Sequence, residues 1–259
     1  MPERRQTGTA LITGASSGIG ATFARRLAAD GYGLILVARR EERLAALAGD
    51  LGGRYGVVVQ RLATDLAEPA GLEEVEKCVA SREPVDLLVN CAGFGARGDF
   101  VRVDFCRQLE MIQLHVLASV RLARAVLPGM LERDRGGILN VASLTAFIPL
   151  PGDATYSATK AYLVSFSQAL HEELRETGVR VQALCPGFTR TEFHSVEQLP
   201  ESDLARIPAM LWSSADEVVA ASLRALPRGP VVCVPGWKNR LIVALARLGV
   251  VRILLRAAL

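Results

Sequence analysis

The chain has 259 residues and half are apolar, enough to bury a substantial core and far from the composition of a disordered protein. Its formal charge of +3 is small and its basic residues are scattered, which argues against nucleic acid as a partner, since such surfaces gather Lys and Arg on one stripe. Five cysteines (Cys78, Cys91, Cys106, Cys185, Cys233) are widely spaced without a C-x-x-C pair, fit no obvious disulfide framework, and point to a reduced, cytoplasmic setting.

Residues 1–6 lead almost directly into a strand and leave no room for a secretory apolar region. A strand is predicted at 9–13, a helix at 20–30, a strand at 33–38 and a helix around 41–47. A strand at 55–62, a helix at 72–80 and a strand at 85–90 follow, then a long helix near 105–130 and a strand at 137–142. A helix at 158–176 precedes strands at 179–184 and 230–234. Several strands are apolar on both faces, as strands of a parallel sheet covered by helices must be. Repeated β-α-β order predicts one α/β domain over 1–259: a Rossmann-type doubly wound parallel sheet of about seven strands, with helices on both faces. The stretch 191–213 reads as a flexible lid, and 240–259 as an apolar C-terminal helix broken by Arg247, Arg252 and Arg256. Those arginines argue against a membrane span. Docking on the body or on a second subunit is the first expectation, and peripheral contact with an anionic membrane the alternative.

After the first strand comes Thr13-Gly14-Ala15-Ser16-Ser17-Gly18-Ile19-Gly20 and then a helix. Glycines there permit a tight turn and let backbone N–H groups approach a pyrophosphate, which a helix N-terminus also attracts. The second strand ends in Ala38-Arg39-Arg40 where a site for NAD would place an acidic residue. A guanidinium at this point suits a 2′-phosphate, so NADP(H) is expected over NAD(H). Farther on, Ser143 follows the fifth strand, Tyr156 lies 13 residues later, and Lys160 is one helical turn beyond Tyr156.

This order of motifs resembles the short-chain dehydrogenase/reductase family, with the glycine spacing of Gly14 and Gly18 and the Tyr-x-x-x-Lys pattern matching its orthodox type. The resemblance implies cofactor contacts from Gly14, Ser16, Ser17, Gly18, Ile19 and Gly20, from Arg39 and Arg40, and from Asp65 and Leu66 beside the adenine. It also implies contacts from Asn90, Ala92 and Gly93, where Cys91 replaces the family's second asparagine, and from Tyr156 and Lys160. Pro186 and Gly187 match the family's Pro-Gly turn beside the nicotinamide, with Thr189 and Thr191 as candidate contacts just beyond.

Ketone reduction builds negative charge on the carbonyl oxygen, so a proton donor must stand there. Tyr156 fits that role: free tyrosine has a pKa near 10, and a neighbouring cation, Lys160 here, favours the phenolate. Ser143 would hydrogen-bond the same oxygen. Many family members hold a water on an asparagine in the preceding helix; His115 stands there instead, either as a proton relay or as a satisfied buried imidazole. Neither His171 nor His194 lies in a metal-ligand pattern, and no metal is expected. Apolar side chains around Ser143 and in 191–213 suggest a small hydrophobic carbonyl substrate, turned over by a reductase that reverses as an alcohol dehydrogenase. A non-catalytic NADP(H)-binding or redox-sensing protein is the alternative, as is an epimerase or dehydratase on the same cofactor. The resemblance further implies a homodimer or homotetramer.

Overall fold

The computed structural model describes residues 7–81, 84–193 and 208–248. The first half alternates regularly: β1 (Thr9–Thr13), α1 (Gly18–Ala29), β2 (Gly33–Ala38), α2 (Glu41–Tyr55), β3 (Val59–Ala63), α3 (Pro69–Ala80) and β4 (Leu87–Asn90). Then come α4 (Phe105–Ile112), a π-helical turn (Gln113–Leu117), α5 (Ala118–Glu132), β5 (Gly136–Val141) and α6 (Ala154–Glu173). The remainder holds β6 (Val179–Leu184), β7 (Thr189–Arg190), β8 (Ser213–Ser214), α7 (Ala215–Ala225), β9 (Val232–Cys233) and α8 (Trp237–Arg247).

Seven strands form one parallel sheet in the order β3-β2-β1-β4-β5-β6-β9, the doubly wound α/β arrangement expected from the sequence. Chain order reverses between β1 and β4, so a crevice opens beyond the carboxyl ends of these two strands, where such sheets take their ligands. The sheet is covered on both faces. Phe23, Leu44 and Leu51 pack with Ile12 and Leu36 on one side, and Leu122, Met130 and Val75 with Leu11 and Ile138 on the other. The helical stretch Phe105–Glu132 has the length and composition to cross a membrane, at a mean hydropathy of 1.3, yet Leu122, Val126 and Met130 on it are buried against the sheet.

Three boundary differences from the sequence expectation matter most. Helix α2 runs on to Tyr55 through Gly49, Gly52 and Gly53, because Leu44, Leu47 and Leu51 keep one face buried, and β3 therefore begins only at Val59. Helix α6 begins at Ala154 rather than 158, which puts Tyr156 inside its first turn. The last strand pairs only through Val232 and Cys233. Of the expected lid, 194–207 lies outside the described residues, as do 249–259 of the expected C-terminal helix and His194.

Candidate active site

The turn after β1 is shaped by what glycine alone allows. Gly14 and Gly18 have φ of 66° and 53°, the left-handed region that side chains disfavour. A Cβ on Gly14 would stand 2.9 Å from the Ala92 backbone, so the turn and the end of β4 touch directly. Thr13 fixes this contact: its Oγ1 accepts from the N–H groups of Cys91 (2.9 Å) and Ala92 (3.0 Å). Helix α1 starts immediately after, with no side-chain cap on its first N–H groups and no acidic residue in its first turn. These N–H groups face the crevice mouth and suit an anion. Ile19 packs against the core behind the turn, and Leu66 is buried on the other face of the sheet.

The two arginines after β2 diverge. Arg39 Nη1 lies 3.3 Å from Asp65 Oδ2, at an exposed pair. Arg40 folds over the glycine turn, donating to Ser16 Oγ (3.1 Å) and Ser17 Oγ (2.7 Å). Its Nη1 also donates to Glu192 Oε2 at 3.2 Å, while Arg43 grips both Glu192 oxygens at 2.8 and 2.6 Å. Positive-φ glycines, an uncapped helix start and a guanidinium bridging two hydroxyls together fit a dinucleotide carrying a 2′-phosphate.

On the other side of the crevice, the first turns of α6 carry Tyr156 and Lys160. Lys160 is 6% exposed and donates to the Val141 carbonyl at 3.0 Å, and its Nζ lies 5.6 Å from the Tyr156 ring centroid. Ser143 follows β5 directly, and its Oγ accepts from the Thr145 N–H at 3.2 Å. The Ser143 loop is joined to the Pro-Gly turn by the Leu144 N–H, which donates to the Pro186 carbonyl at 3.0 Å. Gly187 is pressed against Asn239 of α8, and Thr189 Oγ1 donates back to the Gly187 carbonyl. Thr191 lies against Gly18, where a Cβ would meet it at 3.2 Å. Phe193 reaches the Tyr156 ring, with centroids 6.0 Å apart.

His115 is 1% exposed, in the π-helical turn. Its Nε2 accepts from the Phe94 N–H at 3.1 Å, so the proton is assigned to Nδ1, which faces Thr159 Oγ1 at 2.9 Å. Thr159 Oγ1 in turn donates to the Tyr156 carbonyl at 2.8 Å. Burial, and then the positive charge of Lys160, hold the imidazole well below its ordinary pKa. The ring also explains the glycine of the Ala92-Gly93 pair: a Cβ on Gly93 would stand 2.7 Å from His115 Nε2. Cys91, in the family's second-asparagine position, is half-buried, and desolvation pushes its thiol up to about 12.

Sequence reading missed Asn140, Ser167, Thr13 and Glu192, which shape this site. Asn90 donates to Asn140 Oδ1 at 2.9 Å and Asn140 to Ser167 Oγ at 2.9 Å, a buried polar line tying β4, β5 and α6 together. Thr13 could have been found, since it stands one residue before the glycine turn. Glu192 gives no such signal, standing 152 residues from Arg40.

A family model described as short chain dehydrogenase matches residues 8–201, most of the chain. The chain belongs to the short-chain dehydrogenase family and is an oxidoreductase of it. Among solved structures, a short-chain dehydrogenase from Sphingobium yanoikuyae in complex with NADPH is 38% identical with a TM-score of 0.84, the match covering 95% of each chain. The bulky-bulky ketone specific alcohol dehydrogenase from Comamonas testosteroni is 34% identical with a TM-score of 0.80, over 95% of this chain and 94% of that one. A very-long-chain 3-oxoacyl-CoA reductase from Phaeosphaeria nodorum is 36% identical over 225 residues, 85% of this chain but only 63% of that protein's length.

Proposed function

We propose that the chain reduces the carbonyl group of a hydrophobic substrate with NADPH, and catalyses the reverse oxidation of the alcohol with NADP+. The observation that carries this reading is Tyr156 and Lys160 on one helix face, at the crevice edge formed by the glycine turn, Ser143 and the Pro-Gly turn. NADP(H) would lie with its pyrophosphate at the start of α1 and its 2′-phosphate near Ser16, Ser17 and Arg40, and would supply or accept the hydride. Preference for NADP(H) over NAD(H) is supported by Arg40, which stands where an acidic residue would hold a 2′-hydroxyl.

The protein's own part is proton handling and placement. Tyr156 hands its phenolic proton to the substrate oxygen as charge gathers there, and takes it back in the oxidative direction. Lys160, fastened to the Val141 carbonyl, holds positive charge beside the phenol. Ser143 Oγ, which accepts from the Thr145 N–H, donates its O–H to the same oxygen. His115 acts as a positioning residue rather than as a proton carrier: both ring nitrogens are engaged, one on Phe94 and one on Thr159, and the imidazole resists charging. Phe193 against the Tyr156 ring, and the Phe188–Trp212 ring pair just after the Pro-Gly turn, supply apolar surface that supports a hydrophobic substrate. A bulky ketone and a long-chain 3-oxoacyl thioester are the two classes that the similar proteins bring forward. Exposed Phe105, Leu109 and Ile112 on α4 and Tyr162 on α6 support association of two copies.

The test is NADPH oxidation, followed by absorbance, over a panel holding both substrate classes, with NADH alongside. Tyr156→Phe should lower kcat/KM by about 100-fold or more while NADPH still binds. Retained turnover in that variant would remove Tyr156 from the chemistry and the reading with it.

A further inference from the structure

The salt-bridge cluster around Glu192 takes no part in the chemistry described above, yet it occupies the cofactor's end of the crevice. Glu192 sits on the three-residue bridge Thr191-Glu192-Phe193, whose first member packs on Gly18 and whose last reaches Tyr156. Between them both oxygens of its carboxylate accept from Arg43 Nη1 and one accepts from Arg40, and Arg40 is at the same time the residue laid across Ser16 and Ser17. The anion already resting on these guanidinium groups is therefore one of the protein's own side chains.

We propose that Glu192 is a cofactor-specificity residue that acts as a built-in competitor of the 2′-phosphate of NADP(H). This inference rests on the NADP(H) reading of the site. The phosphate carries close to two charges and three acceptor oxygens against one charge and two oxygens on the carboxylate, so it wins the arginines. It does so at the cost of breaking the pairs that Glu192 makes. A cofactor without the phosphate meets no such competitor and leaves Glu192 in place. Glu192 thus narrows the gap in affinity between NADPH and NADH below what Arg40 and Arg43 alone would set. The exchange is feasible because the side chains are open to water, with Arg40 42%, Arg43 47% and Glu192 49% exposed, and exposed ion pairs are individually weak. Arg43, and after it Arg40, holds the Glu192 carboxyl below the usual carboxylate range, so the competing charge persists at neutral pH.

The experiment is calorimetric titration of the intact protein with adenosine 2′,5′-bisphosphate and with 5′-AMP, at low and high salt. Glu192→Gln should bind the bisphosphate about three- to tenfold more tightly at low salt and bind AMP unchanged. The gain should shrink as salt screens the surface charges. Glu192→Ala should repeat it, which shows that lost charge rather than a new amide contact is responsible. Equal gains for both ligands, or no gain for the bisphosphate, would overturn the role of Glu192. A wild type that does not prefer the bisphosphate to AMP overturns the NADP(H) reading itself, and the Glu192 proposal falls with it. A wild type that prefers it, with Glu192→Gln no tighter, overturns the Glu192 proposal alone.

Discussion

A histidine that never gains a proton has a measurable cost. His115 is buried with Nε2 on the Phe94 N–H and Nδ1 facing Thr159, and its pKa is held well below 6.5 in the folded chain. Once unfolded it takes a proton as the pH falls past about 6.5. The unfolded state then binds the extra proton, so this residue's contribution to stability is intact above that pH and is lost below it, by at most about 1.4 kcal/mol per pH unit. His115→Asn should therefore flatten the fall in stability between neutral and mildly acidic pH, as read by urea unfolding at several pH values. An unchanged slope would mean that other groups carry it. The same residue shows what spacing can and cannot reveal. Ser143, Tyr156, Lys160 and the glycine turn were legible because each demands a residue type at a fixed distance from a strand end. The role of His115 was open, because the partners that commit its nitrogens, Phe94 and Thr159, lie on two other segments.

At the level of single elements, local propensity and packing disagreed in α2, and packing won. Gly49, Gly52 and Gly53 lower the helix propensity of this stretch, but Leu44, Leu47 and Leu51 keep burying one face to its last turn, where Gly56 closes it in the left-handed conformation. The glycines on the outer face are a reserve of stability. Nothing lies within 4 Å of a Cβ placed on Gly49. Gly49→Ala should thus stabilise the protein by about 0.5–1 kcal/mol, measured by thermal or denaturant unfolding, because alanine gives up less freedom on entering a helix. No gain would indicate that this end of α2 is frayed in solution. Strand positions were read more accurately than helix ends. The buried strands β1, β2, β4 and β5 are largely apolar on both faces, whereas helix ends depend on contacts that no local pattern displays.

For the molecule as a whole, the two ends of the crevice are built from distant parts of the chain. The cofactor end rests on β1, α1 and the Arg39-Arg40 pair, all within the first 43 residues if Arg43 is included, while Glu192 and the Pro-Gly turn come from beyond β6. The order of β-α-β units was legible from the alternation of apolar strands and helical stretches, and with it the switch point between β1 and β4. The contacts that close the crevice, Arg40 with Glu192 and Gly187 with Asn239, were not, since they join segments separated by dozens of residues with no motif between them.

The two-residue ladder of β7 and β8 makes the protein a ready-made acceptor for foreign segments. Thr189 pairs with Ser213 and Arg190 with Ser214, so the chain stretches that flank 194–207 are held side by side at one narrow gate. A chain of almost any length can hang from such a gate at small thermodynamic expense, about 0.6 kcal/mol for each doubling of a flexible loop. Exchanging residues 194–207 for the corresponding segment of the ketone-specific or acyl-CoA-acting relatives should leave the melting temperature and NADPH affinity nearly unchanged. The preferred substrate should follow the graft, read as a shift in kcat/KM across the panel.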